Sequence, residues 1–268
     1  DYLNDHAAFA LDPVQLPLRA APFEFECHRG AAPAFLDDYL PDGWGRKVLV
    51  QLALLRDKKT LNAHSVIDTL AMLGHSRVGA LSLLAQGEAP RFDAGHAIEH
   101  LRAAEQAAQQ IDQMDFGSVA PDEMSLVYLA NAGTGVGGAR PKALLFDDAG
   151  QYLAKFNRIT QDRYNNARVE LACLRMAQAA GIHMKGGKII EGINGREVLL
   201  LERFDIDGQA RKHLITVNGL LKEPASQMDL GHAFRYDHVC DLVKKYSCRV
   251  EEDLTQLLKL MLFNRGIN

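Results

Sequence analysis

The stretch NAGTGVGGARPKALLF, residues 131–146, decides the fold. Four glycines (Gly133, Gly135, Gly137 and Gly138) fall within six positions and are followed by Arg140, Pro141, Lys142 and an apolar run. Glycine costs backbone entropy wherever it serves no purpose, and it lets backbone amides crowd against a ligand. Three phosphate-binding arrangements compete for such a loop. A Walker-type loop ends in Gly-Lys-Ser/Thr, whereas Gly138 is followed by Ala139 and Arg140, so that reading fails. Residues 133–138 satisfy the dinucleotide pattern G-x-G-x-x-G, but that pattern needs a helix springing from the loop. The residues that follow read instead as Pro141, a short apolar strand and a turn. The third arrangement is a glycine loop between strands of a kinase-like sheet. It requires a lysine on the next strand for the phosphates and a glutamate on the following helix to hold that lysine.

Both are in place. KALLFDDAGQYLAKF (142–156) reads as two strands joined by the turn DDAG, and Lys155 interrupts the apolar second strand. RYNNARVELACLRMAQAAG (163–181) reads as a helix stopped by Gly181, with Glu170 on the same face as Leu174 and Ala177. An acid on an apolar stripe wants a cation, because burying it unpaired is costly. Taken singly, Lys155 could be an edge-strand lysine and Glu170 a solvated helix charge; the order loop, lysine, glutamate favours the paired reading. KIIEGINGREVLLLERF (188–204) is a second hairpin turning at Asn194-Gly195. Its end, residues 201–205, either forms a connector whose backbone meets an adenine ring or is a buried strand with a polar end. Periodicity does not separate the two.

Outside this block, DYLPDGWGRKVL (38–49) is turn-rich, SVIDTLAMLG (65–74) suits a helix capped by Gly74, and residues 85–95 suit a linker. Residues 96–114 suit an amphipathic helix with Ala97, Ile98, Leu101, Ala104, Ala108 and Ile111 on one side. Helical periodicity dominates from 213 onward. Strands followed by helices imply an α+β protein with a small sheet and a larger helical part. No apolar run approaches the ~18 residues that span a bilayer. Net charge is −4, which gives no support to direct nucleic-acid binding. Four cysteines without CxxC spacing read as free thiols of a reducing cytosol. His96 and His100 with Glu99 fit the H-x-x-E-H zinc-peptidase spacing, but they point away from the apolar side of their helix and read as a solvated face; no metal site is expected.

At this point the sequence resembles the HipA-type serine/threonine kinases, toxins of bacterial toxin–antitoxin modules. The matching segments are LDPVQLPL (11–18), LPDGWGRKVL (40–49), GVGGARPKALL (135–145), YLAKF (152–156), ARVELACLRMAQAAGI (167–182), LLLERFD (199–205) and LLKLMLFNRGIN (257–268). The resemblance implies a two-lobed protein-kinase-like fold: an N-terminal subdomain (residues 1–90), a β-rich N-lobe with the glycine loop (91–205) and the start of a helical C-lobe (206–268), whose remainder is missing. It implies ATP and Mg2+ as cofactors and phosphorylation of a cytosolic protein, in the best-known members an aminoacyl-tRNA synthetase. It further implies a helix-turn-helix antitoxin through which DNA is reached, and no membrane. Gly135, Val136, Gly137, Gly138, Ala139 and Lys142 would cover the ATP phosphates. Lys155 would bind them, with Glu170 as its partner, and Glu202, Phe204 and Asp205 would belong to the adenine connector. Gly135 stands where many members carry an autophosphorylated serine, and the family's catalytic loop is expected beyond residue 268. The alternative is a non-catalytic, nucleotide-binding module.

Overall fold

The computed structural model describes residues 2–25, 33–73, 78–89, 91, 95–113, 121–132, 140–158, 162–208, 210–221 and 235–267. The glycine loop, residues 133–139, and Gly74 lie outside them.

The N-terminal part is helical: α1 (Ala34–Asp37), α2 (Gly43–Asp57) and α3 (Val66–Met72). The sequence DYLPDGWGR looks like a turn because Pro41, Gly43 and Gly45 punctuate it. Only its first residues turn. The Asp42 carboxylate accepts a hydrogen bond from the Gly45 N–H (2.7 Å) and starts a helix of 15 residues. Trp44, Val48, Leu49, Leu52 and Ala53 of α2 are buried, and burying each large apolar side chain is worth about 1.5–3 kcal/mol, which outweighs two glycines at the helix start. The α3 start follows the expected pattern, with Ser65 capping the Asp68 N–H.

The segment expected to be one helix over 96–114 is divided. His96–Ala97 forms strand β1, a single 3₁₀ turn follows, and α4 spans Leu101–Gln113. Strand pairing of His96 and Ala97 with Leu145 and Phe146 overrides the local periodicity. The His96 and His100 rings stack at 4.6 Å, and His96 also stacks on Tyr128, so aromatic packing accounts for the pair. Helix α5 (Glu123–Ala132) then leads into the glycine loop.

Beyond the loop come β2 (Lys142–Asp147), β3 (Gly150–Lys155), α6 (Asn166–Ala179), β4 (Gly187–Glu191) and β5 (Glu197–Glu202). The sheet order is β1-β2-β3-β5-β4, with only β1 parallel to its neighbour. Both expected hairpins are therefore present, and a strand rather than a helix follows Arg140 and Pro141, which removes the dinucleotide-fold reading. Alternation along the strands separates two faces. Ala143, Leu145, Tyr152, Ala154, Val198 and Leu200 join α2, α4 and α5 in the main core. Leu144, Leu153, Leu199 and Leu201 leave the other face toward α6 and the cleft described below. Helix α6 is capped by Asn165 and ends where Gly181 adopts φ +74°.

A small hairpin of β6 (Ile206–Asp207) and β7 (Ala210–Arg211) precedes α7 (Val217–Leu221), α8 (Tyr236–Tyr246) and α9 (Val250–Ile267). The chain is a mixed α/β protein with an antiparallel-rich sheet. Among the described residues no helix is long and apolar enough to cross a membrane.

Candidate functional site: a cleft closed by Lys155, Glu170 and the end of β5

Strand β3 runs apolar until its last residue. Lys155 stands there at the level where β2 begins, and the register pairs it directly with Lys142. Two like charges directly opposite on a sheet repel, and each lysine is drawn to its own acid. Lys155 forms an ion pair with Glu170 from α6. The capping of α6 by Asn165 and the burial of Ala167 and Leu171 against the sheet fix the helix so that Glu170 reaches across. Lys155 keeps 26% of its side chain exposed and Glu170 39%, so the pair sits at a mouth open to solvent rather than in the core.

That mouth belongs to a cavity of about 740 Å³, within the range of small-molecule sites. Leu153, Leu174 and Leu201 form its apolar walls, Val78 closes it from the N-terminal part, and Phe204, 52% exposed, stands among its lining residues. Opposite β5, the segment of Met184, Lys185 and Gly186 completes the lining. The Glu202 N–H donates to the Gly186 carbonyl (3.0 Å), and the Glu202 carboxylate accepts from the Gly186 N–H (3.3 Å). A Cβ at residue 186 would lie 2.7 Å from a Glu202 carboxylate oxygen, so a side chain there would push the Glu202 carboxylate away.

The sequence-derived residues thus separate into groups. Lys155, Glu202, Phe204 and Asp205 line one cavity, with Glu170 bonded to the first. Asp205 faces it from a buried position: Arg203 grips its carboxylate through two hydrogen bonds of 3.0 and 2.6 Å, and the Gly79 N–H adds a third at 2.7 Å. Burial alone would push this carboxyl up, but the guanidinium and the amide outweigh it and hold it below the usual range. Lys142 is elsewhere. Its side chain is 2% exposed, and its ammonium is bonded at 2.8 Å to Asp42, at the start of α2. Gly135, Val136, Gly137, Gly138 and Ala139 lie outside the described residues.

Flanking the loop, Arg140 makes a two-pronged ion pair with Asp162 (2.8 and 2.9 Å), whose carboxylate also accepts the Arg158 N–H at 2.7 Å. Burial opposes ionisation of Asp162, and these donors overcome it and lower its pKa. Sequence reasoning missed Val78, Gly79, the residues 184–186 and the pairing of Arg203, already placed in the connector, with Asp205. Arg203 and Asp205 were detectable as a basic–acidic pair two residues apart in ERFD; Val78 and Gly79 carry no local signal. Among the described residues no group of three or more His, Cys, Asp or Glu is placed to hold a metal ion.

A family model described as the HipA-like C-terminal domain matches residues 134–268, and one described as the HipA N-terminal domain matches residues 1–84. The first alone takes in half of the chain, which belongs to the HipA family. Among solved structures, the chain is similar to one from the Shewanella oneidensis MR-1 toxin–antitoxin complex of HipA, HipB and operator DNA. The TM-score is 0.56 at 19% identity, over 96% of this chain and 61% of that one. This likeness is one of fold, and the present chain spans less than two thirds of its neighbour's length. No curated protein matches the chain.

Proposed function

We propose that this protein is an ATP-dependent serine/threonine protein kinase of HipA toxin type, acting in the cytoplasm. The observation that carries the reading is the Lys155–Glu170 pair at the mouth of a cavity walled by β3, β5 and α6. A cation held by an acid, beside an apolar slot bordered by the free end of a strand, suits a nucleotide: the base in the slot, the phosphates at the ammonium. Glu202 and Phe204 would meet the base. The residues 133–139 would cover the phosphates, and the ligands for Mg2+ would come from the nucleotide and from outside the described residues. A protein serine is the acceptor, with an aminoacyl-tRNA synthetase as one candidate. The Shewanella structure contains HipA with HipB and operator DNA, which supports an antitoxin partner here too; with a net charge of −4, DNA would be reached through that partner.

The test is transfer of radiolabel from γ-labelled ATP with Mg2+ to protein serine or threonine, using the product of the complete reading frame. Transfer that is lost in Lys155→Ala supports the kinase. Saturable ATP binding without any transfer supports the non-catalytic nucleotide-binding module, and absence of both removes the proposal.

A further inference from the structure

We propose that residues 38–42 form a strut between the first residue of β2 and the segment that enters α7, and that Lys142 is a positioning residue of this strut rather than a contact to phosphate. This rests on the nucleotide reading of the cleft. The two ends of DYLPD are tied to two parts of the chain that flank the cleft residues in sequence, Thr216 and Lys142. Both carboxylate oxygens of Asp38 are engaged by Thr216, one accepting its N–H (2.7 Å) and the other its hydroxyl (2.6 Å). Thr216 lies beyond the β5 connector, at the start of α7. Four residues along, Asp42 uses one oxygen to cap α2 through the Gly45 N–H and the other to accept from Lys142, the first residue of β2. The segment between Asp38 and Asp42 is held in place by buried Tyr39 and Leu40.

Parallel ties strengthen the far side. Gln15 donates to the Gly219 carbonyl at 2.9 Å, and the His213 ring N–H donates to the Leu11 carbonyl at 2.7 Å. Around Lys142, Arg140 is clamped to Asp162 and the Pro141 carbonyl accepts the Phe156 N–H (3.0 Å). Three consecutive residues after the glycine loop are therefore anchored to three different elements. Their joint effect is to fix where the loop re-enters the sheet. Because Lys142 and Lys155 are cross-strand partners, Asp42 also keeps the second ammonium away from the first. Through Asp38 and Asp42 the N-terminal part sets the separation between the phosphate end of the cleft and the segment beyond its connector. Whatever moves this segment changes the nucleotide site without touching it.

Two measurements test this. The first is an ATP titration of wild type, Asp42→Asn, Lys142→Met and the double variant. Asparagine retains the cap on Gly45 and removes only the carboxylate facing Lys142. A strut predicts that both single variants weaken binding by a similar factor, about 3- to 10-fold, and that the double variant is no weaker than either. A lysine that touches phosphate predicts loss in Lys142→Met alone, with Asp42→Asn unchanged or tighter, and that result overturns the proposal. The second is hydrogen exchange without nucleotide, so that its outcome does not depend on ATP binding. Asp42→Asn should raise exchange in residues 213–219 as well as 140–147, and Asp38→Asn should do the same, with 250–267 unchanged. Loosening confined to one side, or equal loosening everywhere, refutes the strut. A wild-type protein that fails to bind ATP yet shows this two-sided response removes the nucleotide reading and leaves the strut standing.

Discussion

Replacing Lys155 by alanine should separate binding from stability, and the structure sets both magnitudes. The ammonium is partly exposed and bonded to a carboxylate that is more exposed still. Pairs of this kind contribute about 0.2–1 kcal/mol to folding, because solvent screens them and two long side chains must be ordered. For a chain of this size that corresponds to a shift in Tm of about 4 °C at most. Binding is another matter. With the triphosphate in place, the ammonium meets concentrated negative charge beside the apolar wall of Leu153 and Leu201. Losing one such contact costs about 2–4 kcal/mol, or about 30- to 700-fold in Kd. Calorimetric titration with ATP and Mg2+, together with a thermal melt of the same sample, measures both quantities. A near-native melt with affinity reduced by that factor is the expected result. Unchanged affinity would refute the assignment of Lys155, and a collapse of the melt would show that the pair is a structural tie.

Further predictions follow from the same geometry. Glu170→Gln keeps Lys155 in place but leaves it poorly held, so ATP affinity should fall by about 3- to 10-fold, less than in Lys155→Ala, in the same titration. Asp205→Asn breaks a buried pair with Arg203 and should cost about 3–5 kcal/mol in urea unfolding. Since folding lowers the Asp205 pKa, its contribution is full above the ordinary value of 3.8 and fades as pH falls through the lower folded value; the penalty of the variant should shrink there. Glu105 behaves in the opposite sense. It is fully buried on α4, where it accepts the Ile193 N–H at 2.6 Å, and burial raises its pKa despite that amide and Arg196. The folded state therefore binds the proton more tightly, a stabilisation complete below 4.5 and lost as pH rises through the folded value. Glu105→Gln should flatten the pH profile of stability between pH 4 and 8, equalling or exceeding wild type at the alkaline end. Parallel profiles would contradict this.

The hairpins of β2–β3 and β4–β5 and the helix α6 were legible because each obeys its own local period and punctuation. DDAG and Asn194-Gly195 mark turns, and Gly181 marks a helix end. The Lys155–Glu170 pair was legible because its logic is one of order along the chain. Where tertiary contacts overrode local signals, the reading failed. Helix α2 hid behind Pro41, Gly43 and Gly45, since the burial that stabilises it comes chiefly from α5, far along the sequence. The start of the expected 96–114 helix was claimed by strand pairing with Leu145 and Phe146. The partner of Lys142 was not legible either, because Asp42 lies one hundred residues earlier. Contacts of that range leave no trace in a local pattern, and the same holds for Val78 and Gly79 at the cleft wall.

The central claim is that the Lys155–Glu170 cleft is a nucleotide site. A crystal structure with a non-hydrolysable ATP analogue and Mg2+ tests it most directly. The account predicts an adenine ring between Leu153, Leu201 and Phe204, with a phosphate oxygen within hydrogen-bond distance of the Lys155 ammonium. An empty cleft at millimolar analogue, or an analogue bound elsewhere on the protein, would contradict it.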